Sequence, residues 1–222
     1  MSDFSFEDYV SLLTYGDADE RRNAAWWMGR QRDERVITHL LSALNDNDAD
    51  VRLRVIESLG NMRDDRVVMP LVSALADDDP RVRARVIHSL GLQKDYRAVD
   101  AIIDLLNDPE ASVRVASAEA LALLPDQRAI MPLVSALLDD DNSDVRYFAS
   151  RGLSEIGGEA TVTALILALQ SDPSVGSKIY IAEILAGLKD KRALNPLKQL
   201  AENDPDDDVK TTAKWAINQL GA

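Results

Sequence analysis

The stretch Asp65-Arg-Val-Val-Met-Pro-Leu-Val-Ser-Ala-Leu75 recurs as Gln127-Arg-Ala-Ile-Met-Pro-Leu-Val-Ser-Ala-Leu137, with eight of eleven positions identical. The two copies begin at residues 65 and 127, which is twice a step of 31 residues. A fixed period of this length is typical of repeat proteins, in which one small unit is stacked many times. In the same frame an aspartate precedes an arginine by two residues, starting at Asp33, Asp64, Asp95, Asp126 and Asp190.

The period predicts seven units within one domain that spans residues 1–222. Their predicted bounds are 1–33, 34–64, 65–95, 96–126, 127–158, 159–190 and 191–222. Apolar residues at helical spacing, such as Val67, Leu71 and Leu75, predict that each unit is a pair of helices joined by an acidic turn. One pair cannot bury its own apolar face, so the units have to stack. The predicted fold is therefore an all-α, right-handed α-solenoid of about seven helix pairs.

The second helix of most units is predicted to begin after a capping residue, because a short polar side chain can accept from the free N–H groups of the first turn. The predicted caps are Asp19, Asp50, Ser112, Asp144 and Asp208. In the third unit, Pro80 suits the first helical position. Counted from the residue after the cap, for example Val51, positions 1, 5, 8 and 9 are small or aliphatic and predict the core face. Positions 3, 7 and 10 then point away from it. Position 10 is small throughout, which we interpret as keeping a groove open.

Position 2 of the second helix is a cation in every unit: Arg21, Arg52, Arg83, Arg114, Arg146, Lys178 and Lys210. Such a row could bind a polyanion. The interpretation that we favour is that each cation pairs with an acidic turn or an Asp-x-Arg link of a neighbouring unit. The acidic runs 77–79, 139–141 and 206–208 are interpreted as caps and solvated turns rather than as sites for a divalent cation, because none has the spacing of a calcium loop.

The joint between the fifth and sixth units departs from the pattern. Gly157-Gly158-Glu159-Ala160 stands where other units have Asp-x-Arg, and the glycines add backbone freedom. This joint is predicted to open more readily than the others, since repeat proteins fray at weak nearest-neighbour interfaces.

Composition and charge narrow the range of functions. The chain has 222 residues, no cysteine and a net charge of −13. The absence of cysteine excludes disulfides, thiolate metal sites and cysteine nucleophiles. The negative charge argues against binding a phosphate backbone or an anionic membrane surface. The acidic N-terminal residues and the lack of a long apolar run predict a cytoplasmic protein without membrane insertion.

The Val-Arg and Ser-Leu-Gly elements of the second helix, at residues 51–60 and again at 82–91, together with the Asp-x-Arg link, resemble the HEAT-like repeats named after phycobilisome lyases. The resemblance extends over essentially the whole chain. Its motifs are structural, so it implies the fold more strongly than it implies a function.

The resemblance to this family implies three functions that this sequence fits to different degrees. A bilin lyase-like or phycobilisome-related accessory subunit is an alternative that the resemblance allows, although no catalytic residue can be matched. Deoxyhypusine hydroxylase binds iron through His-Glu pairs, whereas His39 and His88 are followed by Leu40 and Ser89. The HEAT-like DNA glycosylases use a basic groove, which makes a nucleic-acid binder the least favoured alternative at this net charge.

His88 lies at position 7, which points away from the core and onto the predicted inner, concave face of the solenoid. A single histidine with carboxylates around it could act as a general acid or base or hold a metal ion. It lacks a nucleophile or a convincing ligand set, so we interpret it as a contact residue. His39 is predicted on the outer surface of a first helix. The sequence predicts no catalytic, cofactor-binding or metal-binding residue and no cofactor.

The residues at the outward positions predict the function best. An apolar strip with aromatic anchors and alternating charge matches the composition of protein interfaces. The predicted partner-binding residues on the concave face are Trp26, Leu53, Arg85, His88, Val115, Tyr147, Arg151, Ile179 and Trp215. For Trp26 and Trp215, packing as caps on the terminal units is an equal alternative. The sequence thus predicts a non-catalytic scaffold for a protein or peptide partner, and a lyase-type accessory subunit if the chain serves an enzyme.

Overall fold

The computed structural model describes residues 4–31, 33–62, 64–170 and 174–221, and this part of the chain contains fourteen α-helices and no strand. The helices are α1 Phe6–Tyr15, α2 Ala18–Met28, α3 Arg35–Ser42, α4 Ala49–Gly60, α5 Asp65–Ser73, α6 Pro80–Gln93, α7 Val99–Asp104, α8 Ala111–Leu123, α9 Ile130–Asp139, α10 Ser143–Ile156, α11 Gly158–Gln170, α12 Val175–Leu188, α13 Leu194–Asn203 and α14 Asp207–Gln219. Short 3₁₀ turns extend several of the odd-numbered helices.

The helices form two compact units, Met1–Ile102 and Ile103–Ala222. In the first unit, α2 packs against α4 and α4 against α6, so that the second helices of successive pairs form one layer. In the second unit, α8, α10, α12 and α14 pack in the same way. The cores are aliphatic: Val51, Val55 and Leu59 of α4 are fully buried. Positions 1, 5 and 9 thus face the core as predicted.

The true helix caps lie two residues before the predicted ones. The side chain of Asp48 accepts from the N–H groups of Asp50 and Val51, and Asn142 and Asp206 do the same for α10 and α14. Asp79 caps α6 and places Pro80 at the first position, as predicted. The assignments to Asp19, Asp50, Ser112, Asp144 and Asp208 were wrong, because each of these is the second residue of its helix. The cap position and the second position of a helix both favour a short acidic residue, because a carboxylate at either one interacts favourably with the positive end of the helix dipole.

Within each unit, cations at position 2 tie a repeat to the turn of the next. In the first unit, Nε and Nη2 of Arg52 donate to the Asp77 carboxylate at 2.7 and 2.8 Å. Its Nη1 donates to the Asp46 carbonyl oxygen, in the turn of its own repeat, at 2.8 Å. The Asp77 carboxylate also accepts from the Asp79 N–H at 2.9 Å. One guanidinium therefore joins two successive turns with bidentate geometry.

The same ion pair recurs in both units, which confirms the favoured interpretation for four of the seven cations in this row. The pairs are Arg21–Asp46 at 2.6 Å, Arg52–Asp77 at 2.7 Å, Arg114–Asp140 at 2.7 Å and Lys178–Asp204 at 2.9 Å. We call these four pairs the turn ladder. Burial raises the pKa of Asp46, but the hydrogen bonds from Arg21 and the Asp48 N–H outweigh it and leave that pKa below its usual value. The carboxylate therefore stays ionised and paired at neutral pH.

The Asp-x-Arg links have a different role from the turn ladder. Asp64 accepts from the backbone N–H of Arg66 at 2.8 Å and from its guanidinium at 2.7 Å. These hydrogen bonds lower the pKa of Asp64 to about 2, and the bond from the Arg66 side chain has a larger effect than the bond from its backbone N–H. The same clamp forms at Asp33, Asp95, Asp126 and Asp190. Each link therefore caps the start of a first helix. These arginines are largely exposed, so their ion pairs contribute little to stability.

The small residues at position 10 allow second helices to approach closely. A Cβ at Gly29 would lie 2.3 Å from Oγ of Ser58, and one at Gly60 would lie 2.5 Å from Oγ of Ser89. Ser58 is buried and donates to the carbonyl oxygen of Ala25 at 2.9 Å. The interpretation that position 10 keeps a groove open was wrong at these two glycines. They are small because the serine of the next repeat occupies the space.

Gly157 and Gly158 connect α10 directly to α11. Both have left-handed backbones, with φ of 57° and 77°, a region that glycine enters without the steric cost of a Cβ. The greater freedom of this joint stays a prediction, and residues 171–173 of the sixth repeat lie outside the described part of the chain.

Breaking the turn ladder should destabilise the protein more than breaking an Asp-x-Arg link. The Asp140 side chain is 7% exposed and that of Arg114 is 15% exposed. Arg114→Gln leaves the carboxylate without its charge partner, and we expect a loss of about 2–3 kcal/mol in the free energy of unfolding. The matched control Arg97→Gln should lose less than about 1 kcal/mol. Urea denaturation measures both, and equal losses would contradict the distinction.

Two glycine-to-alanine substitutions should have opposite effects. Gly60→Ala forces a Cβ against Ser89, and we expect a loss of about 1–3 kcal/mol. Gly187 of α12 is exposed and has open space around its Cβ direction, so Gly187→Ala should gain about 0.5–1 kcal/mol from the lower flexibility of the unfolded chain. Thermal unfolding of the two variants measures the sign of each effect. A stabilising Gly60→Ala would show that this helix contact is loose.

Candidate functional site

The outward face of α2, α4 and α6 is the candidate site of the first unit. It carries four of the predicted partner-binding residues: Trp26 of α2, Leu53 of α4, and Arg85 and His88 of α6. Trp26, Arg85 and His88 are exposed, and Leu53 is half-buried. Core packing therefore leaves all four side chains accessible. We call this face the first-unit face.

A shallow depression of about 560 Å³ lies on the first-unit face. Three successive second helices contribute to it. Its lining residues are Arg22, Asn23, Asp50, Leu53, Arg54, Glu57 and Arg85. Of these, only Leu53 and Arg85 were among the predicted partner-binding residues. Arg54 and Arg85 both occupy position 4 of their helices, so the recurrence of arginine at that position is the signal that could have identified Arg54.

Ion pairs engage both carboxylates of the depression. Glu57 accepts from Arg54 at 2.6 Å, and Asp50 accepts from Arg81 at 3.0 Å. Arg22 is paired with Asp19 at 2.7 Å, one turn before it on α2. Arg85 forms no ion pair within the described ranges of the chain. The depression therefore presents one exposed guanidinium that can donate to a ligand without first breaking an ion pair.

The neighbouring tryptophans Trp26 and Trp27 lie in different environments. Trp27 stacks on Tyr9 of α1, with 3.9 Å between the ring centroids and an interplanar angle of 10°. Trp26 points to the outward face and is 47% exposed. The guanidinium of Arg30 lies 5.0 Å from the centroid of the Trp26 ring, within the range of a cation–π contact. Trp27 thus packs against the first helix, whereas one side of the Trp26 indole is free to contact a ligand.

The outward face of α8, α10, α12 and α14 is the candidate site of the second unit, and we call it the second-unit face. It carries the other five predicted residues: Val115, Tyr147, Arg151, Ile179 and Trp215. Tyr147 is 46% exposed and Trp215 is 47% exposed. Arg151 is also exposed, and no residue in the described part of the chain forms an ion pair with it.

The helices of the second-unit face carry charged side chains of both signs. Glu119, Glu155 and Glu183 lie on these helices, as do Arg151 and Lys214. The aromatic ring of Tyr147 contacts Phe148 edge-on, with 5.2 Å between the centroids. The helices of this face therefore combine half-exposed aromatic rings with charges of both signs.

The two histidines occupy different surfaces. His88 is exposed on α6, whereas His39 lies on α3, where its ring meets that of Phe6 edge-on at 5.8 Å. Within the described ranges, no three His, Cys, Asp or Glu side chains lie close enough together to hold a metal ion. The groups that both faces offer a ligand are guanidinium donors, carboxylate acceptors and half-exposed aromatic rings.

Other depressions lie along the first helices and the turns. One of about 480 Å³ is formed by α11, α13 and the turn after α13, and its polar wall is the Lys178–Asp204 pair of the turn ladder. Another of about 420 Å³ includes Arg114 and Asp140. In each of these two depressions the cation is already paired with a carboxylate of the same depression. They are therefore weaker candidates for a ligand site than the first-unit face.

None of the helices in the described part of the chain combines the length and the apolarity that crossing a membrane requires.

The family model for HEAT repeats matches the chain over residues 7–90, 68–154, 99–175 and 130–218. No curated protein matches the sequence of this chain.

Solved structures of helical repeat proteins are similar to this chain. The complex of CpcE and CpcF of phycocyanin lyase from Nostoc sp. PCC7120 is 22% identical, with a TM-score of 0.62, over 99% of this chain and 96% of that one. Human deoxyhypusine hydroxylase in complex with glycerol is 19% identical, with a TM-score of 0.50, over 97% and 96%. A computationally designed armadillo repeat protein for modular peptide recognition is 17% identical, with a TM-score of 0.51, over 97% and 99%. These likenesses confirm the predicted fold class, an all-α solenoid; its right-handed sense stays a prediction.

Removing an aromatic ring from the second-unit face should leave the fold almost unchanged. Tyr147 is half exposed, so we expect Tyr147→Ala to lower the free energy of unfolding by less than about 1 kcal/mol. Leu153 lies on the same helix and is fully buried, so Leu153→Ala should cost about 2–5 kcal/mol. Urea denaturation of the two variants is the measurement. A loss for Tyr147→Ala as large as that for Leu153→Ala would place the tyrosine in the core.

Proposed function

This chain belongs to the HEAT repeat family, and from that premise we propose that it is a cytoplasmic, non-catalytic scaffold. Its partner is a protein or a peptide, which binds the outward faces of the second helices. The repeated part of the molecule supplies stacking and the outward side chains supply recognition, which is the usual division in repeat proteins.

The half-exposed aromatic rings are the observation that carries this proposal. Trp26, Tyr147 and Trp215 are large side chains that remain about half exposed, although each lies on a helix whose other face is fully packed. Tryptophan and tyrosine dominate the binding energy of protein interfaces when a partner desolvates them. Scattered apolar side chains are normal on a protein surface, but these three share the same face of their helices. Their recurrence supports a contact surface in each unit.

Two of the similar structures are described as binding a protein or a peptide, which supports the proposal, although the lyase and the hydroxylase among them are enzymes. The designed armadillo protein is described as recognising peptides, and CpcE and CpcF form a protein complex. A lyase-type accessory subunit that handles a bilin is the alternative. It predicts that the isolated chain changes the absorption spectrum of an added bilin, and the scaffold proposal predicts an unchanged spectrum.

The test uses one partner and variants of both helix layers. Proteins captured from the native cell extract by the immobilised chain are identified, and the dissociation constant of each purified candidate is measured. Truncating an aromatic anchor typically costs 2 kcal/mol or more, so Tyr147→Ala should weaken the true partner about thirtyfold. Thr38→Ala and Met131→Ala, which change exposed side chains of first helices, should bind like the wild type.

Two outcomes would refute the scaffold proposal. The first is a partner that loses affinity for the Met131→Ala chain and keeps it for Tyr147→Ala, since that partner would use the first helices. The second is a bilin that binds and shifts its absorption in the absence of any protein partner.

A further inference from the structure

The lining of the depression on the first-unit face has an excess of positive charge, whereas the chain as a whole is acidic. The chain has a net charge of −13. The lining of the depression nevertheless contains three arginines, Arg22, Arg54 and Arg85, against the two carboxylates of Asp50 and Glu57. Both carboxylates already accept from arginines. A ligand that enters the depression therefore meets donors rather than unengaged acceptors.

These arginines differ from those of the turn ladder. Arg52 donates through three of its nitrogens to two carbonyl or carboxylate partners in successive turns, and its side chain is only 15% exposed. Arg85 is exposed and makes no ion pair in the described part of the molecule. The charge of Arg52 is therefore neutralised inside the structure, whereas that of Arg85 is available to a partner.

Apolar side chains lie on the same face as Arg85. Leu53 forms part of the lining of the depression. Trp26 lies on the same layer of helices, with Arg30 over its ring at 5.0 Å. A guanidinium held against an aromatic ring keeps its in-plane N–H groups directed outward, where they can donate to a carboxylate. Donors and apolar surface thus occur together.

The length of the depression across its three helices matches that of a short extended peptide. Three packed helices at 8–10 Å separations span about 16–20 Å, which about five or six extended residues would cover. We propose that the first-unit face binds a short acidic peptide segment that carries Asp or Glu beside a large apolar side chain. The carboxylate pairs with Arg85, and the apolar side chain packs on Leu53 and Trp26. This inference deepens the proposed scaffold function and rests on it.

Random-peptide selection tests the inference without a known partner. Short random peptides displayed on phage are selected against the whole chain. Because the chain is acidic, its overall field favours basic peptides, whereas the first-unit face predicts enrichment of Asp or Glu next to Leu, Phe or Trp. The most enriched acidic peptide is then synthesised together with a copy in which Asn and Gln replace Asp and Glu.

The dissociation constants of these two peptides measure the proposed contacts. Hydrogen bonds to charged groups predict that the amide copy binds at least about tenfold more weakly, and that Arg85→Gln weakens the acidic peptide by a similar factor. Lys198→Gln is the matched control, because it removes one exposed positive charge on α13 of the other unit. It should leave the affinity unchanged. Added salt should weaken the acidic peptide more than its amide copy.

Several results would overturn the inference. They are selection of basic or neutral peptides, equal affinity of the acidic and amide peptides, wild-type affinity of the Arg85→Gln chain, and displacement of the peptide by single-stranded DNA at equal ionic strength. The scaffold proposal is tested separately by Tyr147→Ala on the second unit. A partner that depends on Tyr147 while selection yields basic peptides would keep the scaffold and discard the acidic segment.

Discussion

The two-turn clamp made by the position-2 cation is the interaction on which the rest of the structure depends. Arg52 holds the carbonyl of its own turn and the carboxylate of the next, and Arg21 makes the corresponding contacts in the repeat before it. A partly buried pair of this kind contributes little net energy, but it is costly to break, so it specifies geometry more than it adds stability. It fixes the register in which successive second helices stack. It also neutralises its own cations, so that recognition is left to the side chains at positions 3, 4 and 7.

Close helix packing is the second constraint, and it follows from that register. Gly29 and Gly60 let the serine of the next repeat approach, so neighbouring second helices meet through small residues while their large aliphatic side chains fill the core. The outward side chains then project from a closely packed layer. Such a layer is a rigid support for contact residues, and rigidity lowers the entropy that a partner loses on binding.

The repeat, the helix pairs and the pairing of cations with acidic turns could be predicted from the sequence. These features recur in register along the chain, so their prediction requires no knowledge of distant contacts. The sequence misplaced the caps, since Asp48 and Asp50 both suit the start of a helix and only the backbone shows which one accepts the N–H groups. It misjudged position 10, because the reason for Gly60 is Ser89 in another repeat. It omitted Arg54 from the candidate site, and it left open whether Trp26 packs as a terminal cap, because the packing of α1, where Tyr9 stacks on Trp27, does not follow from the repeat.

On the proposed function, the stacked second helices present the partner surface and the first helices do not. Hydroxyl-radical footprinting of the chain with and without its bound protein partner tests it directly, because exposed oxidisable side chains occur on both layers. Trp26, Tyr147 and Trp215 are about half exposed on second helices, and Met69 and Met131 are 51% and 65% exposed on first helices. Binding should protect Tyr147 and at least one of the two tryptophans while Met69 and Met131 oxidise at unchanged rates. Protection of the methionines with unchanged oxidation of the aromatic side chains would contradict the account.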